Sequence, residues 1–489
     1  MFKEIIMSID VGSSSVRSLA FSLKGELLAV GKSEYKTIYE KEMFVEQNPF
    51  EWINALELSV KNMVHNMKTQ FSVKAIGLTG QSPTYLPLDS NLKPLSNAYT
   101  YQDNRAFEEA EQIKKFFGIK YVHDFSGHSV YPFYIIPKIL WQKKHMSQVF
   151  NKIKYVFQPR DYILLYMTGE IATDESHANP TLAYDIRNHT WNRKFVEKLN
   201  IDPDIFPKNV LHPWDIAGNL TLSAAQKLGL NQGIPVIIGA GDSQCCSLGV
   251  GAVKPDILSE MSGTSTCLNN TVSSPVNDVR IGNYCHAVPH MYCTEMGLNA
   301  SGASLNWITN VLYGSGEDKY EKMENELKKE NKGSKGIIFF PYISGGERDN
   351  PDLKSLFYNV RFDDDRANII YAVLEGVAFA IREKAEIMEN ASCMFERIYV
   401  SGGGALSDEW NRIKANVFGI PLYASGRIDA AEFGAAMLAA IGCGVFKNHY
   451  EAIKSWKLKT KCYIPCQDTK NEYDERYADF LRLKKKFFE

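Results

Sequence analysis

An α/β fold in two related halves is predicted by three features of this chain. Apolar strands alternate with segments of helical period along its whole length. A strand followed by a glycine-hydroxyl loop occurs twice, about 250 residues apart, as Asp10-Val11-Gly12-Ser13-Ser14-Ser15 and as Ser262-Gly263-Thr264-Ser265. The length, 489 residues, suits two domains that each bury a core. We expect one domain over 1–250 and a second over 251–489, with Gly249, Gly251 and Pro255 punctuating a hinge. Aligning Gly12 with Gly263 reads as duplication of one domain type.

The elements follow in order. Residues 5–10 form a strand, the serine loop turns the chain, and residues 16–22 return it as a hairpin. Pro49 to Met67 has helical period, with Trp52, Leu56, Val60 and Val64 on one face. A buried strand over 73–78 ends in Thr79-Gly80-Gln81-Ser82-Pro83. Another over 234–238 ends in Gly239-Ala240-Gly241-Asp242-Ser243. The second half restarts with a strand over 257–261, then its hydroxyl loop. A polar helix over 318–331, a strand over 336–341 and a long helix over 365–390 follow. The strand 398–400 leads into Ser401-Gly402-Gly403-Gly404-Ala405, and helices near 407–418 and 431–442 close the core.

Composition narrows the function. Hydrophobic residues make up 45% and charged residues 23%, as in ordinary globular proteins. A net charge of -2 argues against nucleic-acid or anionic-membrane partners, which select a basic surface. The run Leu483-Lys484-Lys485-Lys486 reads as a solvated helix end. Nine scattered cysteines with no second metal-spaced pair fit a reducing, cytoplasmic setting. The short N-terminal apolar run ends in Asp10, unlike a signal peptide, and no apolar run is long enough for a membrane span.

Chemistry concentrates at the strand ends. A glycine lets the backbone approach a ligand closely, and hydroxyls with turn amides suit phosphate oxygens. Gly12, Ser13 and Ser14 form one such cradle, with Arg17 adding charge and Asp10 able to hold magnesium. Gly263, Thr264 and Ser265 form the other. The same residues also make ordinary hairpin turns. Asp242, at the end of a buried strand, is placed for a general base or for a helix N-cap. Three glycines at 402–404, ahead of a helix N-terminus, suit a flat adenine or a phosphate, and also a plain turn. Gln81 and Ser82, with Tyr101, Asp103 and Arg105, suit a polyhydroxylated substrate. Asp103 and Arg105 alternatively form a structural ion pair. Phe133, Lys138 and Trp141 read as a packed helix face.

Taken in this order, the motifs resemble those of the FGGY carbohydrate kinases, within the superfamily of actin, hexokinase and the 70-kDa heat-shock chaperones. Further matching stretches are Asp161-Tyr162 with Thr168-Gly169-Glu170, His286-Ala287-Val288-Pro289, Pro341-Tyr342 with Gly346-Glu347-Arg348, and Gly434-Ala435-Ala436. The resemblance implies two ribonuclease-H-like (actin-like ATPase) domains with a deep cleft, sugar mainly on the first and ATP mainly on the second. It implies Asp242 as catalytic base and Asp10 as the Mg2+-associated carboxylate. Thr264 would contact phosphate, and Gly403, Gly404 and Ala405 the adenosine. Gln81, Ser82, Tyr101, Asp103, Asp242 and Ser243 would line the sugar site. Dimers are common in that family, though no residue here marks a homodimer interface.

The chain pattern is closest to xylulokinase-like members, with departures. Xylulokinases usually show Gly-Gln-Met-His-Gly where this chain has Gly80-Gln81-Ser82-Pro83-Thr84, and the Arg-Glu pair of glycerol kinases is missing. Tyr101 replaces a usual tryptophan, and Ser243 a frequent asparagine. The expected reaction is ATP-dependent phosphorylation of a ketopentose, xylulose-like. The alternatives are another sugar or polyol (ribulose, glycerol, erythritol), or a nucleotide-switched binding protein of the same superfamily.

Overall fold

The computed structural model describes residues 3–330, 333–347, 350 and 352–488. Contacts divide the chain into two units that are not contiguous in sequence. Unit 1 comprises Met1–Gly251, Ser273–Cys293 and Ala430–Lys457; unit 2 comprises Ala252–Val272, Thr294–Asp429 and Leu458–Glu489. The contiguous division at 250/251 is thus interleaved in space: residues 273–293 and 430–457 pack with the first unit.

The sheet of unit 1 is built on β1 (Lys3–Val11), β2 (Ser15–Ser22), β3 (Leu27–Glu34), β4 (Phe71–Gly80), β5 (Ile216–Asn219) and β6 (Pro235–Gly241). Its order is β5-β6-β4-β1-β2-β3. β1 pairs antiparallel with β2 and parallel with β4, which pairs parallel with β6. The central strands bury both faces, so they read as nearly continuous apolar runs. The helix Pro49–Asn66 lies against β2 and β3. It starts where Asn48 Oδ1 accepts from the Phe50 amide at 3.0 Å, with Pro49 at its first position. Trp52, Leu56, Val60 and Met63 are fully buried, while the expected Val64 is half-buried. The 3.6-residue period moves the stripe from Val60 to Met63.

The opposite face is covered by the helix Ala430–Gly442, which arrives from the far end of the chain. It packs on β4, β1 and β6 and on the helix Asp242–Gly249. Side-chain-free backbone permits this closeness. A Cβ on Gly434 would collide with the Cys245 carbonyl, one on Gly249 with the Ala430 carbonyl, and one on Gly77 with the Ala435 carbonyl. Trp456 adds a clamp, donating from Nε1 to the Leu23 carbonyl at 3.0 Å over Gly25. This is the physical reason for the interleaving.

Unit 2 repeats the plan with β7 (Ile257–Ser262), β8 (Thr266–Val272), β9 (Tyr292–Leu298), β10 (Arg397–Ser401), β11 (Leu422–Ser425) and β12 (Thr460–Tyr463). Within a seven-stranded sheet these six take the order β9-β8-β7-β10-β11-β12, with Gly282–Cys285 as the seventh strand beside β9. A hairpin, β7 with β8, is again followed by two parallel neighbours and an antiparallel edge strand. Over six strands the two sheets share one strand order, as the paired loops suggested. The helix Arg366–Asn390 supplies the core of this unit and starts at a capping box between Asp365 and Asn368. The polar helix runs Lys319–Glu330, and residue 331 lies outside the described residues. The expected strand near 336–341 is Ile338–Phe340, in a separate two-stranded sheet. In the terminal helix Lys484 is buried and paired with Glu383, whereas Lys485 and Lys486 are exposed. All nine cysteines are free thiols. Among the described residues no helix is long and apolar enough to cross a membrane.

Gly77→Val places a branched side chain against the Ala435 backbone and should destabilise the protein by about 2–3 kcal/mol in urea unfolding. Gly426→Ala, where a Cβ meets open space, should stay within about 0.5 kcal/mol of the parent in the same measurement.

Candidate active site

Strand register, rather than any single motif, assembles the site of unit 1. Asp10 on β1 stands opposite Arg17 on β2 and Thr79 on β4. Val11 stands opposite Gly80, and Gly80 opposite Gly241 on β6. The loops after β1, β4 and β6 therefore leave one sheet edge, carrying Gly12–Ser14, Gln81–Ser82 and Asp242–Ser243.

The first loop is tied down through its carbonyls. The Gly12 amide donates to the Ser15 carbonyl at 3.0 Å, and the Tyr35 amide to the Ser14 carbonyl at 3.1 Å. The Tyr35 hydroxyl donates to the Gly12 carbonyl. Gln47 Nε2 donates to the Ser13 carbonyl at 2.8 Å. Ser13 and Ser14 remain exposed. A Cβ on Gly12 would sit 3.3 Å from Asp10 Oδ2, so a side chain there would crowd the carboxylate.

Gln47 also joins this loop to the next. Its Oε1 accepts from Gln81 Nε2 at 2.8 Å and from Trp52 Nε1 at 3.1 Å. That orients the Gln81 carboxamide and leaves its buried Oε1 without a hydrogen-bond partner among the described residues. Ser82 Oγ donates to Gln158 Oε1 at 2.8 Å. Tyr101 is half-buried and lies in electrostatic reach of Tyr35.

Asp103 serves the fold. Its Oδ2 accepts from the Val45 amide at 2.7 Å and from Arg105 Nη2 at 2.8 Å, and its Oδ1 from Arg105 Nε at 2.9 Å. Arg105 also pairs with Glu46 at 2.7 Å and stacks on the Tyr99 ring, 3.7 Å from its centroid. The structural ion pair is thus realised, and neither Asp103 oxygen is left unoccupied. Lys138, on the packed helix Ile135–His145, donates to the Thr100 and Tyr99 carbonyls at 2.6 and 3.2 Å. Burial lowers its pKa to about 7, against the attraction of Asp103. These three residues fix the loop that carries Tyr101.

Asp242 is the first residue of the helix Asp242–Gly249, and Gly241 takes the N-cap position. The Ser243 amide donates to Asp242 Oδ1 at 2.7 Å. The approach to Asp242 is bent by a bulge at Gly239, whose φ is +71° and whose Cβ would collide with the Leu78 carbonyl. A buried polar network holds that bend. Arg160 Nη1 donates to the Ile238 and Gly239 carbonyls at 2.8 and 3.2 Å, and the Gly241 amide donates to Ser176 Oγ at 2.8 Å. Asp174 accepts from Arg160 at 2.9 Å, from His177 at 2.8 Å and from Ser176 Oγ at 2.6 Å. Burial alone would raise the Asp174 pKa, but Arg160 and His177 outweigh it and hold it at about 2.

Asp10 has the opposite environment. Burial, then the carboxylates of Glu432 and Asp242, push its pKa well up, with only Arg17 opposing. Its Oδ1 is buried without a hydrogen-bond partner among the described residues. An unpartnered carboxylate oxygen amid further carboxylates is the donor chemistry a hard divalent cation takes. Glu432, Tyr35 and Gln47 had no place in the sequence motifs.

In unit 2 the second loop turns between β7 and β8, with the Gly263 amide donating to the Ser265 carbonyl at 2.9 Å. Gly263, Thr264 and Ser265 are exposed. The Thr264 carbonyl accepts from the Ala303 amide at 3.0 Å, and a Cβ on Gly302 would strike the Gly263 carbonyl. The three glycines after β10 divide their roles. A Cβ on Gly404 would strike the Ser262 side chain, and one on Gly402 the Ser262 backbone. Gly403 faces open space. Ala405 is buried, and its carbonyl accepts from Asn411 Nδ2 at 2.8 Å. Beneath the loops, Lys414 and Glu260 form a buried ion pair. Arg348, in a motif that the resemblance used, lies outside the described residues.

Residues 5–249 match the model of the FGGY family of carbohydrate kinases, N-terminal domain, and residues 259–443 the model of its C-terminal domain. A xylulose kinase of Staphylococcus epidermidis is 26% identical over 99% of this chain and 97% of its own. One of Lactococcus lactis is 28% identical over 98% and 96%. The crystal structure of xylulose kinase from Rhodospirillum rubrum superposes with a TM-score of 0.91 at 24% identity, covering 99% of this chain and 98% of that one. That likeness shows the shared fold.

Two aspartates should respond oppositely to loss of charge. A carboxyl whose folded pKa is raised destabilises as pH climbs from the unfolded value, about 3.9, through the folded one. Asp10→Asn should therefore raise the melting temperature of the ligand-free protein at neutral pH by about 2–4 °C, the gain shrinking toward pH 4. Asp174 is depressed, so its contribution is full above about pH 4 and lost as pH falls toward 2. Asp174→Asn should cost about 3 kcal/mol at neutral pH, read by urea unfolding.

Proposed function

The chain belongs to the FGGY family of carbohydrate kinases, and we propose that it phosphorylates a ketopentose of the xylulose type with ATP. The observation that carries the reading is the common edge of β1, β4 and β6, where Asp10, Gln81 and Asp242 leave adjacent in-register strands. The full-length xylulose kinase relatives support the substrate class.

In this reading Asp242 accepts the proton of the attacking sugar hydroxyl, and the network of Arg160, Asp174 and Ser176 fixes its position. Gln81 offers Oε1 to a sugar hydroxyl, because Gln47 already holds its amide nitrogen. Ser82, Tyr101 and Ser243 complete the polar lining, and Asp103 shapes the Tyr101 loop. Gly12, Ser13, Ser14 and Arg17 hold terminal phosphates of ATP. Thr264, Gly263 and Ser265 serve the nucleotide phosphates from unit 2, and Gly403, Gly404 and Ala405 its adenosine. Asp10 would hold Mg2+, which would supply charge neutralisation for the phosphates.

Asp242→Asn should lower turnover by roughly 10²- to 10⁴-fold with ATP affinity little changed. The test is ADP release with magnesium-ATP against D-xylulose, L-xylulose, D-ribulose, L-ribulose, glycerol, erythritol and gluconate. Stimulation by a xylulose, abolished in Asp242→Asn, is the expected result. Stimulation by gluconate or glycerol alone would reassign the substrate. Wild-type turnover in Asp242→Asn would remove it from the mechanism.

A further inference from the structure

Glu432 belongs to no motif described above, yet it lies within the phosphate-loop machinery. It occupies the first turn of the helix Ala430–Gly442, where the positive end of the helix dipole favours a carboxylate. Its side chain is 2% exposed and pairs with Arg17 Nη1 at 2.5 Å, while Arg17 is 25% exposed. Arg17 is the cross-strand neighbour of Asp10. Glu432 cannot drift, because Gly77, Gly249 and Gly434 let its helix sit directly on neighbouring backbone.

Stability does not explain this arrangement. A buried ion pair roughly breaks even against apolar replacements, and this one adds a third carboxylate beside Asp10 and Asp242. Its useful effect is geometric. A guanidinium is a planar fork, and a buried carboxylate ion-paired with Nη1 limits the positions it can take while leaving Nε and Nη2 outside that pair. An unheld arginine would lose side-chain entropy on meeting each phosphate.

We propose that Glu432 is a positioning residue for phosphoryl transfer, holding the Arg17 guanidinium fixed beside the Gly12–Ser14 loop for a phosphate oxygen. This rests on the kinase reading above. The group recognised is the terminal phosphate of a nucleoside triphosphate, and Glu432 acts on it only through Arg17.

The test is a double-mutant cycle of Glu432→Gln, Arg17→Met and the pair. It reads turnover, KM for ATP, affinity for a non-hydrolysable ATP analogue by calorimetry, and melting temperature. Glu432→Gln should lower turnover about 10- to 100-fold and weaken the analogue several-fold. Once Arg17 is gone, Glu432→Gln should cost nothing further, so the double variant should match Arg17→Met. Losses that multiply in the double variant would overturn the proposal, as would wild-type turnover in Glu432→Gln. If Glu432→Gln fails to fold, Glu432→Asp keeps the charge but withdraws it by one methylene. An intermediate loss is then expected, and unchanged turnover and analogue affinity would overturn the proposal. The wild-type assay separates the two readings: no sugar-dependent ADP release by the wild type defeats the kinase reading, whereas sugar-dependent release by the wild type beside a fully active Glu432→Gln defeats only this inference.

Discussion

Three carboxylates crowded against one arginine are the constraint around which unit 1 is organised. Asp10 is buried, and Glu432 and Asp242 both repel its charge while Arg17 attracts it. The fold tolerates this because each is anchored independently: Asp10 by β1, Asp242 by the bulge and Arg160 network, Glu432 by a helix seated on glycines. In the proposed reading, a cation, or a phosphate with its counter-ion, relieves that repulsion on binding.

Both units use one strand order to do related work. In each, a tight hairpin loop follows the central strand, and the loops of its parallel neighbours emerge at the same end. The chemistry then diverges. Unit 1 puts charge at its strand ends, with Asp10, Arg17 and Asp242. Unit 2 puts exposed small residues there, with Gly263, Thr264, Ser265 and Gly403, and keeps its charges below as the Lys414–Glu260 pair. On related strand orders the two sheets thus carry different side chains at corresponding loops.

Much of this was legible in the sequence because strands announce themselves locally. Asp10 and Asp242 each end an apolar run, and their convergence needs only parallel pairing of those runs. The alternation of helices and strands and the twin loops pointed to an α/β class and to a strand-loop-strand start of each half, while the strand orders emerge only in space. Glu432, Tyr35 and Gln47 were not legible, since their partners are fixed by register and helix packing between distant segments. Asp103 illustrates an ambiguity of composition: an aspartate two residues before an arginine reads equally as ligand or as ion pair, and burial decides. The interleaving of the units was hidden for a related reason. Periodicity says that residues 431–442 form an apolar helix, not which sheet it covers, and the only trace was glycine at 77, 249 and 434.

That interleaving has a consequence for how the protein is made. The chain emerges from the ribosome N-terminus first, and the sheet of unit 1 is complete once Gly241 has been synthesised. Its covering helix and the Trp456 clamp belong to Ala430–Lys457, nearly 200 residues later. Throughout that interval the sheet face carrying Gly77 and Ile237 lacks its cover, and Arg17 lacks its carboxylate. Translation thus leaves a partly finished first unit waiting while most of the second is produced. That is the window in which a trapping chaperone or a protease would meet this chain.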